Sequence, residues 1–297
     1  MPRKFIKHFS EYFFLFYLYR LARMFPLDLL LKVATLLGKC LYHINTKHRQ
    51  RALKNLSLSF PEKTEEERET ICKNVYINLC KIFTEFIFLP RINESFVRKR
   101  VRVQGEEHLR QALKGKRGIL AITGHLGNWE LLGTIMVKLG YPLDAIYQPM
   151  KNPFSDRLFY NIRARSGMGL ISTDNSLRGS LKALKQNHLL GLIADQDAGR
   201  SGVFVDFFGR PASTARGPAV FAVKTKSPML FFALIREKNN AYSLNISPPL
   251  KVRDTGQTED DIHYNTKLWS DRLEKWVRQY PDQWFWVHRK WHSKKRS

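Results

Sequence analysis

Residues 118–130 read Gly118-Ile119-Leu120-Ala121-Ile122-Thr123-Gly124-His125-Leu126-Gly127-Asn128-Trp129-Glu130. The stretch opens with a short, unbroken apolar run bounded by glycines, the pattern of a strand buried on both faces. Polar, chemically capable side chains follow at once. Behind them Leu131, Leu132, Ile135, Met136 and Leu139 recur at helical spacing. A strand, a glycine-containing turn and a helix in that order form the unit from which α/β sheets are built, with ligands gathering at the carboxyl ends of the strands.

Downstream the alternation continues. The pattern predicts strands at 143–148, 170–171, 188–194, 229–235 and 242–246. Helices are expected at about 154–166, around Leu177, Leu181 and Leu184, at 216–225, and in a final segment bearing Leu268, Leu273 and Trp276 that stops before Pro281. Upstream, Thr64 and Glu67 form a capping box, and Ile71, Val75, Leu79, Ile82, Phe83 and Phe86 make residues 64–88 an amphipathic helix. Lys47 to Arg51 reads as a basic turn before it. The fold class is therefore α/β, a central mostly parallel or mixed sheet flanked by helices. No repeat, low-complexity tract or Gly/Ser/Pro linker divides the chain.

His125 and Glu130 are separated by four residues. Five positions along one continuous helix rotate two side chains about 140° apart. With His125 in the loop and Glu130 in the first turns of the helix, the pair can converge. An imidazole of ordinary pKa, about 6.5, is a competent general base at cellular pH. A carboxylate on its other nitrogen would fix the tautomer and stabilise the imidazolium, as in a catalytic triad whose nucleophile is a substrate hydroxyl. Taken alone, the same spacing describes a capping histidine and a surface glutamate. Its setting and the motifs that accompany it decide between the two.

Those motifs are Asn152-Pro153 with Arg163 and Arg165, Asp195-Gln196-Asp197 at a strand end, and Phe207-Phe208-Gly209-Arg210-Pro211-Ala212-Ser213-Thr214. With G-H-L-G-N-W-E at 124–130, the early N-L-x-L-x-F-P-E and the terminal Q-W-x-W-x-H-R-K-W, the chain resembles the bacterial lipid A biosynthesis acyltransferases, the lauroyl/myristoyl family. The likeness runs from about residue 45 to residue 291. It implies a glycerolipid-acyltransferase-like fold and transfer of a fatty acyl group from acyl carrier protein to a hydroxyl of a Kdo-modified lipid A precursor. The reaction would take place at the cytoplasmic face of the inner membrane, without metal or nucleotide cofactor. It puts the catalytic pair on His125 and Glu130, and substrate contacts on Arg163 and Asp195. Arg165 is a general phosphate contact or a structural residue, and Asn128 braces the turn beside the substrate. Gln148 departs from the family, where many relatives carry Arg. At about 0.8 kcal/mol per buried CH₂, a chain of about twelve to fourteen carbons is worth roughly 8–10 kcal/mol, so a long apolar groove is required. The sequence does not locate it.

Composition agrees. Of 297 residues 43% are hydrophobic, which excludes disorder, and 50 Lys and Arg against 26 Asp and Glu give a net charge of +24. Such a charge suits an acidic carrier protein, an anionic glycolipid and an anionic membrane surface. A nucleic-acid-binding protein would show a basic module with exposed stacking aromatics, and none is readable. Three cysteines without a C-x-x-C pair argue against a zinc ribbon or disulfide scaffold. Residues 1–45 are expected to form a separate hydrophobic helical segment before an acyltransferase domain at 46–297. Its aromatic run, Tyr12 to Tyr19, flanked by Lys4, Lys7, Arg20 and Arg23, falls short of the about 20 apolar residues a bilayer span requires and reads as an interfacial anchor. Trp284, Trp286 and Trp291 with the basic tail at 294–296 read as a second interfacial belt, and Phe207 and Phe208 as core aromatics or walls of the acyl channel. An acyltransferase of the same fold acting on another membrane lipid, such as a lysophospholipid or a phosphatidylinositol mannoside, shares the H-x4-D/E pattern and is the alternative.

Overall fold

The computed structural model describes residues 2–294, with side chains from residue 5. Four helices come first, α1 (Pro2–Ala22), α2 (Leu27–Ile44), α3 (Thr46–Ser59) and α4 (Glu65–Phe88), followed by the short α5 (Glu94–Arg100). Lys47 to Arg51 therefore belong to a helix and not to a turn; Asn45 caps it by accepting from the His48 N–H. The capping box of α4 forms as expected, with Thr64 and Glu67 bonded reciprocally. α2 buries Leu31, Ala34, Gly38 and Tyr42, a single stripe, against α4. A Cβ on Gly38 would stand 2.5 Å from the Ile77 Cα, so glycine sets how closely these two helices approach.

The sheet then alternates with helices: β1 (Val101–Gln104), α6 (Glu106–Leu113), β2 (Ile119–Thr123), α7 (Trp129–Lys138), β3 (Leu143–Tyr147), α8 (Pro153–Arg165), β4 (Gly169–Ser172), α9 (Ser176–Lys185) and β5 (Leu189–Ile193). A two-stranded hairpin, β6 (Val203–Phe207) and β7 (Arg210–Thr214), interrupts the alternation. The chain ends with α10 (Gly217–Thr225), β8 (Met229–Arg236), β9 (Tyr242–Ile246) and α11 (Thr258–Gln279).

Seven strands form one sheet in the order β1-β9-β8-β2-β5-β3-β4. All pairs are parallel except β8 with β9. The sheet is mixed and mostly parallel, as the alternation implies. β2 lies at its centre with every residue buried. Its alternate side chains serve two cores. Ile119 and Ala121 face α7 with Leu131 and Ile135, while Leu120 and Ile122 join Trp269, Leu273, Trp284 and Trp286 on the opposite face.

One expectation is corrected here. Trp284 and Trp286 are 1% and 0% exposed and stack edge-on within the second core, so they form no belt. Trp291 is half-buried with the Arg210 guanidinium over its ring, and Lys295 and Arg296 of the tail lie outside the described residues. Phe207 and Phe208 are likewise core aromatics, packed against Trp284 and Trp286 respectively. No helix among the described residues is long and apolar enough to cross a membrane.

Candidate active site

β2 ends at Thr123 beside Ile193 of β5, its register partner. Two residues beyond each of these lie His125 and Asp195, so parallel pairing carries the two side chains to the same height above the sheet. His125 Nδ1 and Asp195 Oδ1 are 2.6 Å apart, and the His125 backbone N–H donates to Oδ2 at 2.8 Å. The Trp284 indole N–H also donates to Oδ2, at 2.8 Å. Burial alone would raise the pKa of Asp195, which is fully buried. The charge and hydrogen bond of His125, the charge of His288 and the Trp284 bond outweigh it and hold the carboxyl well below the usual range. An ionised Asp195 can only accept, so Nδ1 carries the ring proton and Nε2 presents its lone pair. The Gln196 side-chain amide lies 3.3 Å from Nε2. The ring is otherwise framed by Trp129 and Phe285, at centroid distances of 4.9 and 5.9 Å.

Glu130 is elsewhere. It sits in the first turn of α7 and forms a two-pronged pair with Arg163 of α8, Nε to Oε2 at 2.9 Å and Nη2 to Oε1 at 2.7 Å. The carboxylate that orients His125 is thus Asp195, 70 residues away in sequence, and not Glu130. Burial disfavours the Arg163 charge, but the hydrogen bonds and charge of Glu130 prevail and raise its pKa. The Phe86 ring supports the guanidinium from 5.0 Å. Nη1 has no hydrogen-bond partner among the described residues.

The other site expectations divide. Asn128 is fully buried and touches no open space. Its Oδ1 caps α7 by accepting from the Leu131 N–H, and its Nδ2 donates to Glu85 at 2.6 Å. Glu85 is itself locked to Arg236 by two bonds of 2.6 and 2.7 Å and to the Tyr242 hydroxyl. Asp195 is equally inaccessible and meets neither Arg163 nor open space. Arg165 is exposed on α8 and lines no part of the cavity. Sequence reasoning missed Glu85 and Arg236, which sit in an ordinary helix and strand. It also missed the indole of Trp284 as a site contact.

The turn that presents His125 is held by backbone. Gly127 N–H donates to the Gln283 carbonyl and Asn128 N–H to that of Leu234. Gly127 has φ +61°, and a Cβ there would stand 1.9 Å from the Leu234 oxygen, so no other residue fits. The Phe285 N–H donates to the His125 carbonyl at 3.0 Å.

His125, Trp129, Glu130, Arg163 and Gln196 rim a cavity of about 370 Å³. Its polar mouth gives way to an apolar interior between α7 and the sheet, walled by Ala121, Leu132, Met136, Leu143, Met168 and Phe232. Gly133 and Gly191 also line it, and a Cβ on Gly133 would stand 2.3 Å from the Met168 sulfur. Gln148, the family departure, also lines it. Among the described residues no cluster of three or more His, Cys, Asp or Glu side chains is placed to hold a metal ion.

The site thus combines an α/β sheet, a histidine held by a buried carboxylate and an apolar cavity beside it. The family model "Bacterial lipid A biosynthesis acyltransferase" matches residues 3–293, and the chain belongs to that family. It is 30% identical over 246 residues to the lipid A biosynthesis palmitoleoyltransferase of Escherichia coli K12, covering 82% of this chain and 78% of the relative. It is 28% identical over 277 residues to the lauroyltransferase of the same organism, covering 91% and 87%. A lipid A biosynthesis acyltransferase of Haemophilus influenzae is 26% identical over 275 residues, covering 92% and 84%.

Proposed function

We propose that the protein transfers a fatty acyl chain from acyl carrier protein to a hydroxyl of a Kdo-modified lipid A precursor, working at the cytoplasmic face of the inner membrane. Membership in the lipid A family supports the acceptor class. The observation that carries the chemistry is His125, whose Nδ1 is fixed by an ionised, buried carboxylate and whose Nε2 stands at the mouth of an apolar cavity.

In this reading the acyl chain lies in the cavity between α7 and the sheet, with its thioester carbonyl at the rim. The acceptor hydroxyl displaces the Gln196 amide from Nε2, gives up its proton there, and its oxygen attacks the carbonyl carbon. The C–S bond then breaks, and the imidazolium returns its proton to the departing thiolate. Asp195 stabilises the imidazolium while it exists. Base catalysis of this kind is typically worth about 10²–10⁴-fold. Glu130 acts through Arg163. The salt bridge fixes the guanidinium at the rim with Nη1 uncommitted, where a fixed positive charge stabilises the oxyanion that forms on the carbonyl. Arg163 is therefore the contact residue and Glu130 its positioning residue. The net charge of +24 favours encounter with an acidic carrier and an anionic leaflet, and the exposed aromatic face of α1 supports membrane contact.

The test is an assay with a panel of acyl carrier protein thioesters and a tetra-acylated lipid A precursor. His125→Ala is expected to remain folded and to lose transfer by at least about 10²-fold. Near-normal turnover in that variant would overturn the mechanism. Transfer only to a different lipid would overturn the acceptor.

A further inference from the structure

Direct transfer requires the donor's acyl chain and the lipid acceptor in the site at once, yet the cavity beneath α7 is a single compartment of about 370 Å³. A larger apolar groove of about 630 Å³ lies between α2 and α4, with Phe285 in its wall. Val33, Leu37 and Leu41 of α2 face Leu79 and Phe83 of α4 across it, and Leu18 of α1 closes one end. α2 and α4 are in closest approach at Gly38 and Ile77, and the groove runs along the same helix pair. Val33, Leu37 and Leu41 are 41%, 54% and 44% exposed, although a folded chain of this size has ample core in which to bury them.

Phe285 connects the groove wall to His125. It lines the groove, its ring stacks 5.9 Å from the His125 imidazole, and its N–H holds the His125 carbonyl. The groove thus approaches His125 through Phe285 and shares no lining residue with the first cavity. We infer that the α2/α4 groove binds the acyl chains already carried by the lipid acceptor, bringing its hydroxyl past Phe285 to His125 Nε2 while the donor chain occupies the cavity under α7. This rests on the acyltransferase reading above and adds the place of the acceptor. The occupant is a lipid and not a peptide helix, because the lining is mainly apolar, with Asn45, His48 and Thr84 among its few polar residues, and because Phe285 in its wall packs on the His125 ring that must receive the acceptor.

Two measurements in mixed detergent micelles test it. In the first, a tetra-acylated lipid A precursor with a diazirine at one chain end is photolysed on the protein and on its His125→Ala variant, in which no turnover intervenes. Label is expected in residues 27–44 and 65–88. Label confined to residues 129–138 and 166–170, which bound the other cavity, overturns the inference. In the second, Leu37→Arg and Leu41→Arg, both at exposed positions, are expected to raise KM for the acceptor at least about tenfold while KM for the acyl carrier protein thioester and kcat stay within about twofold. An unchanged acceptor KM overturns the inference, including the case in which these variants lose only their binding to acceptor-free vesicles, which would make the groove a bilayer contact. Photolabelling does not depend on turnover. Absence of transfer by the unaltered protein would therefore reject the acyltransferase reading and leave the occupancy of the groove separately decided.

Discussion

Helix α1 and the segment after α11 carry the two densest aromatic clusters of the chain, each beside basic residues. On α1 the rings stack mainly along one another, Phe5 on Phe9, Phe9 on Phe13, Phe13 on Tyr17, and Phe14 is 69% exposed. In the terminal segment Trp284 and Trp286 are sealed between the sheet and the α11 side of the molecule. The difference lies in what each ring can bond. The indole N–H groups of these two rings both have an acceptor, Asp195 for Trp284 and the Pro281 carbonyl for Trp286, so sealing them strands neither N–H. The α1 rings are mostly phenylalanine, need no acceptor and find only a partial wall, chiefly Phe154 of α8. Composition and flanking charge read alike at both ends, but only one is tied into the site.

The strongest way to break that comparison is to remove Trp284. Trp284→Ala opens a core cavity and strips Asp195 of a donor, and is expected to cost about 3–5 kcal/mol in unfolding free energy, measured by denaturant titration. Trp284→Phe keeps most of the ring and removes only the N–H. It should cost about 1–3 kcal/mol and also slow acyl transfer, because the carboxylate that orients His125 loses one of its ties. A Trp284→Phe protein with full stability and full turnover would show that the indole merely fills space.

His288 offers a second test in the same segment. Both its ring nitrogens are buried, with no hydrogen-bond partner among the described residues, against Trp284 and Phe285. Burial pushes its pKa from 6.5 down to about 4, the nearby charges of His125 and Lys290 act in the same direction, and Asp195 opposes them. The unfolded chain takes up this proton near pH 6.5, whereas the folded one resists until about 4. Stability contributed by the neutral ring is therefore complete above pH 6.5 and falls through that window, by about 3 kcal/mol in all. His288→Phe is expected to flatten the stability profile between pH 6.5 and 4. The loss on protonating Asp195 comes only at lower pH and should survive the change. An unaltered profile between pH 6.5 and 4 would mean that the ring titrates freely.

The elements whose side chains repeat with a clear period were legible in the sequence: α4 with its capping box, β2 as an unbroken apolar run, and α7 to α11 within one or two residues at most ends. The β6–β7 hairpin was not. Its two-residue turn places Phe208 and Gly209 at φ +56° and +70°, a geometry usually announced by Asn-Gly, and Phe208 is held there by Glu274 accepting from its N–H. β1, four residues alternating half-buried and exposed, is too short for a period to show. At the site, His125 was legible from its position after a buried strand. Its true partner was not, because Asp195 reaches it through the register of β2 with β5, a contact between distant segments that local spacing cannot reveal. Glu130 looked like that partner only because it is near in sequence; α7 turns it toward α8 and Arg163. The sequence marks Asp195 as a substrate contact and Asn128 as a brace beside the substrate, but gives no measure of burial, and both are fully enclosed.

The smallest effect on stability comes from the opposite end of the comparison and separates anchoring from folding. Phe13→Ser, Phe14→Ser and Tyr17→Ser combined change rings that are about half exposed or more and lie on the side of α1 away from its buried Tyr19. Surface changes that touch no core, cap or buried bond usually stay within about 0.5 kcal/mol each. The triple variant is therefore expected to unfold at nearly the denaturant midpoint of the unaltered protein. Aromatic rings at a lipid headgroup boundary beside Lys7, Arg20 and Arg23 should by contrast give measurable binding, weakened by salt through the charges and by the serines through the rings. Sedimentation with vesicles of mixed zwitterionic and anionic lipid reads this directly, and retention should drop while transfer to an acceptor presented in detergent micelles persists. If the triple variant unfolds early, α1 belongs to the core like the tryptophan segment. If it stays folded and sediments as before, the exposed rings have no part in membrane contact, and the positive surface alone must hold the protein to its leaflet.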